Sequence, residues 1–281
     1  MKRLTLSTLT LLLLMNSSTW GSMGQGARSE VPQTSQLDAK PMSADADPSF
    51  EVATIRPSNP DHPIDGTPIG HRTVFAGVTM RFLMTFAYGV HDKQIVGAPN
   101  WWDSQPFDIE GLSDIPGNPS LPQMKTMLQK LMADRFQMKF HREKREISAY
   151  VLTVGKNGAK LDKSMSDKDT VPSLLGRPSI GMKGRNLTMV VFADLLQSGI
   201  LDRPVVDQTG LQGRYDFLLR WTPDESQFTQ VGGRFPPPTE GADGPPGLFT
   251  AIQEQLGLKL NAEKTAVDVL VIDHVEKPSQ N

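Results

Sequence analysis

One pattern recurs four times along this chain: an amphipathic helix, a short apolar strand, a tight polar turn and a second strand. It is readable at Thr79 to Glu110, Leu121 to Val154, Thr188 to Trp221 and Leu248 to Val275. Repetition of one supersecondary unit is a strong constraint, because such a unit cannot cover its own apolar face and must be buried against its neighbours. It dictates architecture and leaves chemistry open.

Spacing and end signals place the helices. Phe82, Leu83, Phe86 and Ala87 form one stripe that Thr79 can cap and Gly89 can end. The same grammar recurs from Thr188, where Val191, Phe192, Leu195 and Leu196 form the stripe and Gly199 stops it. Ser120 with Gln123 matches a capping box ahead of Met124, Met127, Leu128 and Leu131. The fourth helix uses Leu248, Phe249, Ile252 and Leu256 and ends at Gly257.

Each helix is followed by two predicted strands: 94–96 and 107–110, 136–140 and 149–154, 204–206 and 215–221, 258–260 and 267–275. Phe136, Met138 and Phe140 alternate with Gln137 and Lys139, so one face is buried. The charged run Lys139 to Glu146 reads as a hairpin tip, Gly210 and Gly213 as a hairpin turn, and Asn157-Gly158 as another. Further strands precede the helices at 50–56, 71–75 and 180–185. The predicted fold class is α+β, with repeated helix-strand-strand units, helices packed on mainly antiparallel sheet, and two similar halves.

Lys2 and Arg3 precede an apolar stretch from Leu4 to Met15, followed by Asn16, Ser17, Ser18 and Gly21. This is the grammar of a secretory signal peptide, and the stretch is short of the ~20 apolar residues that a spanning helix needs. The expectation is an exported chain, periplasmic or extracellular, with no integral membrane segment after cleavage. Segments follow as a signal peptide 1–22, a disordered tether 23–48, a first half 49–161, a linker 162–178 and a second half 179–281 with a Pro/Gly-rich loop at 224–247. The sequence has no cysteine, so neither disulfides nor a lipidated cysteine can hold it. Without Lys2 and Arg3, 27 of the 29 basic residues stand against 31 acidic ones, a balance that argues against nucleic acid.

His62, His71, His91, His141 and His274 are scattered without close metal-ligand spacing, and His141 with Glu143 and Glu146 is the nearest approach. Asp202, Asp207 and Asp216 bracket the third unit, and paired carboxylates at Asp207 and Asp216 would suit an exported hydrolase. Capping and turn duties explain them equally, and Asp92 and Asp108 repeat the positions in the first unit. No nucleophile elbow or phosphate loop occurs in a confirming context. No catalytic residue, metal ligand or cofactor site is assigned. Trp101 and Trp102, adjacent in a turn, are the candidate partner contact, because exposed Trp anchors partners.

Several ordered segments carry a family resemblance: Phe50-Glu51-Val52-Ala53-Thr54-Ile55-Arg56-Pro57, Ile95-Val96-Gly97-Ala98-Pro99-Asn100-Trp101, Ala133-Asp134-Arg135-Phe136, and Arg203-Pro204-Val205-Val206-Asp207-Gln208-Thr209-Gly210-Leu211. Gly213-Arg214-Tyr215-Asp216, Glu254-Gln255-Leu256-Gly257-Leu258 and Val271-Ile272-Asp273-His274 continue it. From about Phe50 to Pro278 the chain resembles an uncharacterised soil-associated paralogous family of bacteria, abundant in acidobacteria. In some relatives similar domains are attached to membrane metallopeptidases of the antibiotic-sensor type. The resemblance implies an extracytoplasmic sensing or interaction role, weakened here because this sequence carries no such peptidase. The helix-strand-strand order is also similar to the short N-terminal domains of secretins, a likeness of element order alone. The leading expectation is an exported, cofactor-free protein that binds a protein or cell-envelope partner through edge strands or the Trp101 region. The alternatives are a hydrolase and a small-ligand sensor.

Overall fold

A computed structural model describes residues 40–59, 65–69, 72–167, 170–229 and 244–278. The leader, the tether up to residue 39, His71 and the 230–243 part of the Pro/Gly-rich loop lie outside the described residues. The first strands are β1 (Phe50–Pro57), β2 (Asp65–Ile69) and β3 (Arg72–Val78), followed by helix α1 (Met80–Tyr88). Next come β4 (Ile95–Val96), β5 (Phe107–Ser113), α2 (Leu121–Arg135), β6 (Lys139–Val154) and β7 (Asp162–Lys163). Then follow β8 (Ser173–Arg177), β9 (Gly181–Leu187), α3 (Met189–Gly199), β10 (Val205–Asp207), β11 (Tyr215–Leu219), α4 (Leu248–Leu256) and β12 (Leu258–His274). The fold is α+β: four helices and three mostly antiparallel sheets among the described residues. None of these helices is long and apolar enough to cross a membrane.

Helix ends follow the sequence signals. Thr79 Oγ1 accepts from Phe82 N, Thr188 Oγ1 accepts from Val191 N, and Ser120 with Gln123 closes the capping box. Each cap satisfies amide donors that the first turn leaves without an intrahelical partner.

Contacts divide the chain into two units, and the division falls inside α1. The first comprises Met1–Leu83, Asn100–Gln137 and Glu276–Asn281. Its sheet has the order β1-β5-β3-β2, and its core includes Ile55, Phe75, Phe107 and Ile109 together with Met127, Leu128 and Phe136. Phe107 and Phe136 meet edge-on at 5.4 Å, a favoured aromatic geometry. At the sheet edge, Arg135 Nη1 donates to Ala53 O at 3.0 Å.

The second unit comprises Met84–Pro99 and Met138–Val275 and holds the other two sheets, β10-β6-β12-β4 and β7-β11-β9-β8. Its centre corrects the sequence expectation. The charged run 139–146 is no hairpin tip: β6 is one strand of 16 residues, paired antiparallel with the 17-residue β12. The reason lies in the register. The polar residues 141–146 of β6 face Val271, Leu270, Val269, Asp268, Val267 and Ala266, while polar Asn261, Glu263 and Lys264 of β12 face Val151, Ala149 and Ser148. Apart from the Lys144–Asp268 ion pair and Ser148 beside Lys264, the charged stretch of each strand meets apolar partners, so neither shows continuous alternation. Gly210 and Gly213 likewise make no hairpin, because β10 joins β6 while β11 joins β9 and β7.

This sheet shows the two halves to be alike. Val205 pairs with Tyr150 and Ile95 pairs with Leu270, both in parallel register. Tyr150 pairs with Ala262 and Leu270 with Arg142. The turns leading into β4 and β10 match position for position: Gly89, Asp92, Lys93, Ile95 and Val96 answer Gly199, Asp202, Arg203, Val205 and Val206. The short strand of each half pairs with the long strand of the other.

Candidate functional site

Asp207 and Asp216 are both engaged with the backbone. Asp207 Oδ1 accepts from Thr209 N at 2.9 Å and Thr209 Oγ1 at 2.8 Å, a local turn bond at the exit of β10. Asp216 Oδ1 accepts from Asn186 N at 2.7 Å, and Asp108 Oδ1 repeats this with Gly77 N at 2.9 Å. Asn186 (φ 54) and Gly77 (φ 66) are the left-handed residues two positions ahead of the helix-capping threonines. A left-handed bend takes the amide out of the strand ladder, and the carboxylate supplies the acceptor it would otherwise lack.

Trp102 is 3% exposed, so contact through it would require it to leave this packing. Trp101 is half-buried, edge-on to Phe107, with the Lys277 ammonium 5.8 Å from its ring. His91 is buried and its Nδ1 accepts from Lys93 N, while exposed His141 pairs with Asp273 at 2.8 Å. Among the described residues no three His, Asp or Glu side chains are grouped to hold a metal.

A polar cluster that sequence reasoning missed lies where the two equivalent turns approach. Tyr150 donates to Asp202 Oδ1 at 3.0 Å. Lys93 Nζ lies 3.6 Å from Asp202 Oδ2 and donates to Asp202 O at 2.6 Å, and Arg203 Nε reaches Oδ2 at 3.3 Å. Burial, helped by the Asp202 charge, pushes the Tyr150 hydroxyl up to about 12. Burial would raise Asp202 as well, but the Tyr150 hydroxyl, Lys93 and Arg203 together hold it below its ordinary value. The cluster has a neutral phenol and an ionised carboxylate at neutral pH, and it ties two loops and a strand together. Asp202 and Arg203 were visible in sequence, but their partner Tyr150 is remote in the chain.

The second arrangement is a surface. On the outer face of β8, β9 and β11 the register sets Leu218 beside Lys183 and Lys183 beside Leu175. One row further, Gly181 stands beside Arg177, and a side chain added at Gly181 would strike Leu218 and Arg220, which lie over it. In the opposite direction Arg185 stands beside Ser173. Arg177, Lys183, Arg185 and Arg220 are exposed and form no salt bridge among the described residues. Leu218 is 46% exposed, and Ile180 in the β8–β9 turn is 66% exposed. The corresponding face of the first unit differs: Arg72 there pairs with Glu110 at 2.6 Å. Alternation of Lys183 and Arg185 with buried Met182 and Gly184 was the available sequence signal. Arg177 and Arg220 join it only through pairing.

Fold and surface define a duplicated α+β protein with one cationic, partly apolar sheet face. The chain belongs to the protein family of unknown function DUF3738, whose model matches residues 81–275. Comparison with curated proteins and with solved structures gives no match.

Proposed function

We propose that this chain is an exported, non-catalytic module that docks on an anionic partner in the cell envelope through the outer face of β8, β9 and β11. The observation that carries the reading is the grouping of Arg177, Lys183, Arg185 and Arg220 around Leu175 and Leu218 on a protein whose formal net charge is −2. A local field opposite in sign to the whole molecule orients it toward an anionic surface and speeds encounter. Lys2, Arg3 and the apolar Leu4 to Met15 stretch support export.

Retention on immobilised polyglutamate tests the reading. The full chain is expected to bind at low ionic strength and to elute as salt screens the charges, whereas Lys183→Glu with Arg220→Glu is expected to pass unretained. Equal retention of both proteins would refute it.

A further inference from the structure

We infer that the partner of this face is the surface of an anionic phospholipid bilayer, a conclusion that rests on the binding reading above and specifies its ligand. Arg177 on β8, Lys183 and Arg185 on β9 and Arg220 just past the end of β11 are grouped together, while Asp216 and its register neighbour Asp162 stand together toward the β7 end. Cations grouped on one sheet face suit a surface of anionic headgroups, and each Lys or Arg near such a surface raises affinity about fivefold.

Ile180 adds an apolar contact. It stands at the tip of the β8–β9 turn, close in sequence to Arg177 and Lys183, and is largely exposed. The turn is closed by Ile180 N donating to Arg177 O at 3.1 Å and is held to the protein by Trp221 N donating to Pro178 O at 3.0 Å, with Trp221 itself fully buried. A fixed aliphatic tip rimmed by cations suits the boundary between headgroups and acyl chains, where stable attachment takes an apolar and a basic contribution together. Leu218 and Leu175, beside Lys183, extend the apolar component.

Flotation with phosphatidylglycerol vesicles and with phosphatidylcholine vesicles decides the matter. Wild type is expected to float with the anionic vesicles and to remain behind with the zwitterionic ones. The combined variant Arg177→Gln, Lys183→Gln, Arg185→Gln and Arg220→Gln is expected to bind several hundredfold more weakly, at about fivefold per cation. Ile180→Asp is expected to weaken binding with an unchanged melting temperature. The decisive comparison is made between proteins lacking residues 1–22, because the basic and apolar leader would itself bind vesicles. Equal flotation of wild type and the combined variant, or equal binding to both lipids, overturns the inference. If phosphatidylglycerol fails while polyglutamate still retains the chain through Lys183 and Arg220, the partner is an acidic polymer or protein and only the lipid inference falls. If both supports fail, the binding reading falls with it.

Discussion

At Tyr150 burial and a neighbouring carboxylate act in the same direction, and both favour the neutral phenol. Its folded value of about 12 lies above the ~10 of unfolded tyrosine. The stability linked to this group is therefore complete below about pH 10 and is lost as pH rises from about 10 through about 12. Tyr88 is raised too, by burial, and contributes with the same sign. Tyr150→Phe isolates the one hydroxyl: at neutral pH it should cost about 1 kcal/mol for the lost bond to Asp202, and its alkaline decline should be shallower than wild type. Urea midpoints measured across that range read the difference, and parallel decline would show that Tyr150 is not the titrating group. Asp202 has the opposite linkage. Its lowered value makes its contribution complete at neutral pH and lost as pH falls through the carboxylate range. None of this coupling is legible locally, because Tyr150, Lys93 and Asp202 come from three separate segments.

Among the elements, Gly199 and Gly257 look like the same helix stop in sequence, and the structure separates them. Gly257 is left-handed at φ 65, and a Cβ there would come within 2.2 Å of Gly158 O. Gly199 has no atom within 4 Å of an added Cβ. Gly257→Ala should therefore destabilise by roughly 3 kcal/mol through backbone strain and overlap, while Gly199→Ala should fall within about 0.5 kcal/mol of wild type. Thermal melts of the two variants check the contrast, and similar losses would show that the Gly257 cap is not tightly packed. Capping residues were legible because Thr79, Ser120 and Thr188 act on amides three residues away. The long strands were not, because the strand partners of Arg142 to Arg145 lie more than a hundred positions further along the chain.

For the whole molecule, the exchange of short strands couples the halves. Strand β4 of the first half completes its pairing only on β12, and β10 of the second only on β6. Separate fragments spanning 40–167 and 170–281 would each lose these ladders and the β6–β12 pair, leaving polar backbone groups and apolar strand faces uncovered. The 170–281 fragment alone is expected to lack a cooperative unfolding transition, and the two co-expressed are expected to associate and recover one. Circular dichroism with size-exclusion chromatography makes the measurement. Independent folding of the 170–281 fragment would show that the exchanged strands are dispensable.

What the sequence determined by itself was local and repetitive: where helices start and stop, which segments favour strand, and that one unit recurs. These follow from backbone capping, side-chain periodicity and composition, whose partners lie within a few residues. Tertiary structure decided that Lys139 to Glu146 runs on as strand, that Tyr150 meets Asp202, and that Arg177, Lys183, Arg185 and Arg220 share a face. Such outcomes depend on cross-strand register and desolvation, which arise only when distant segments are brought within hydrogen-bond reach of one another.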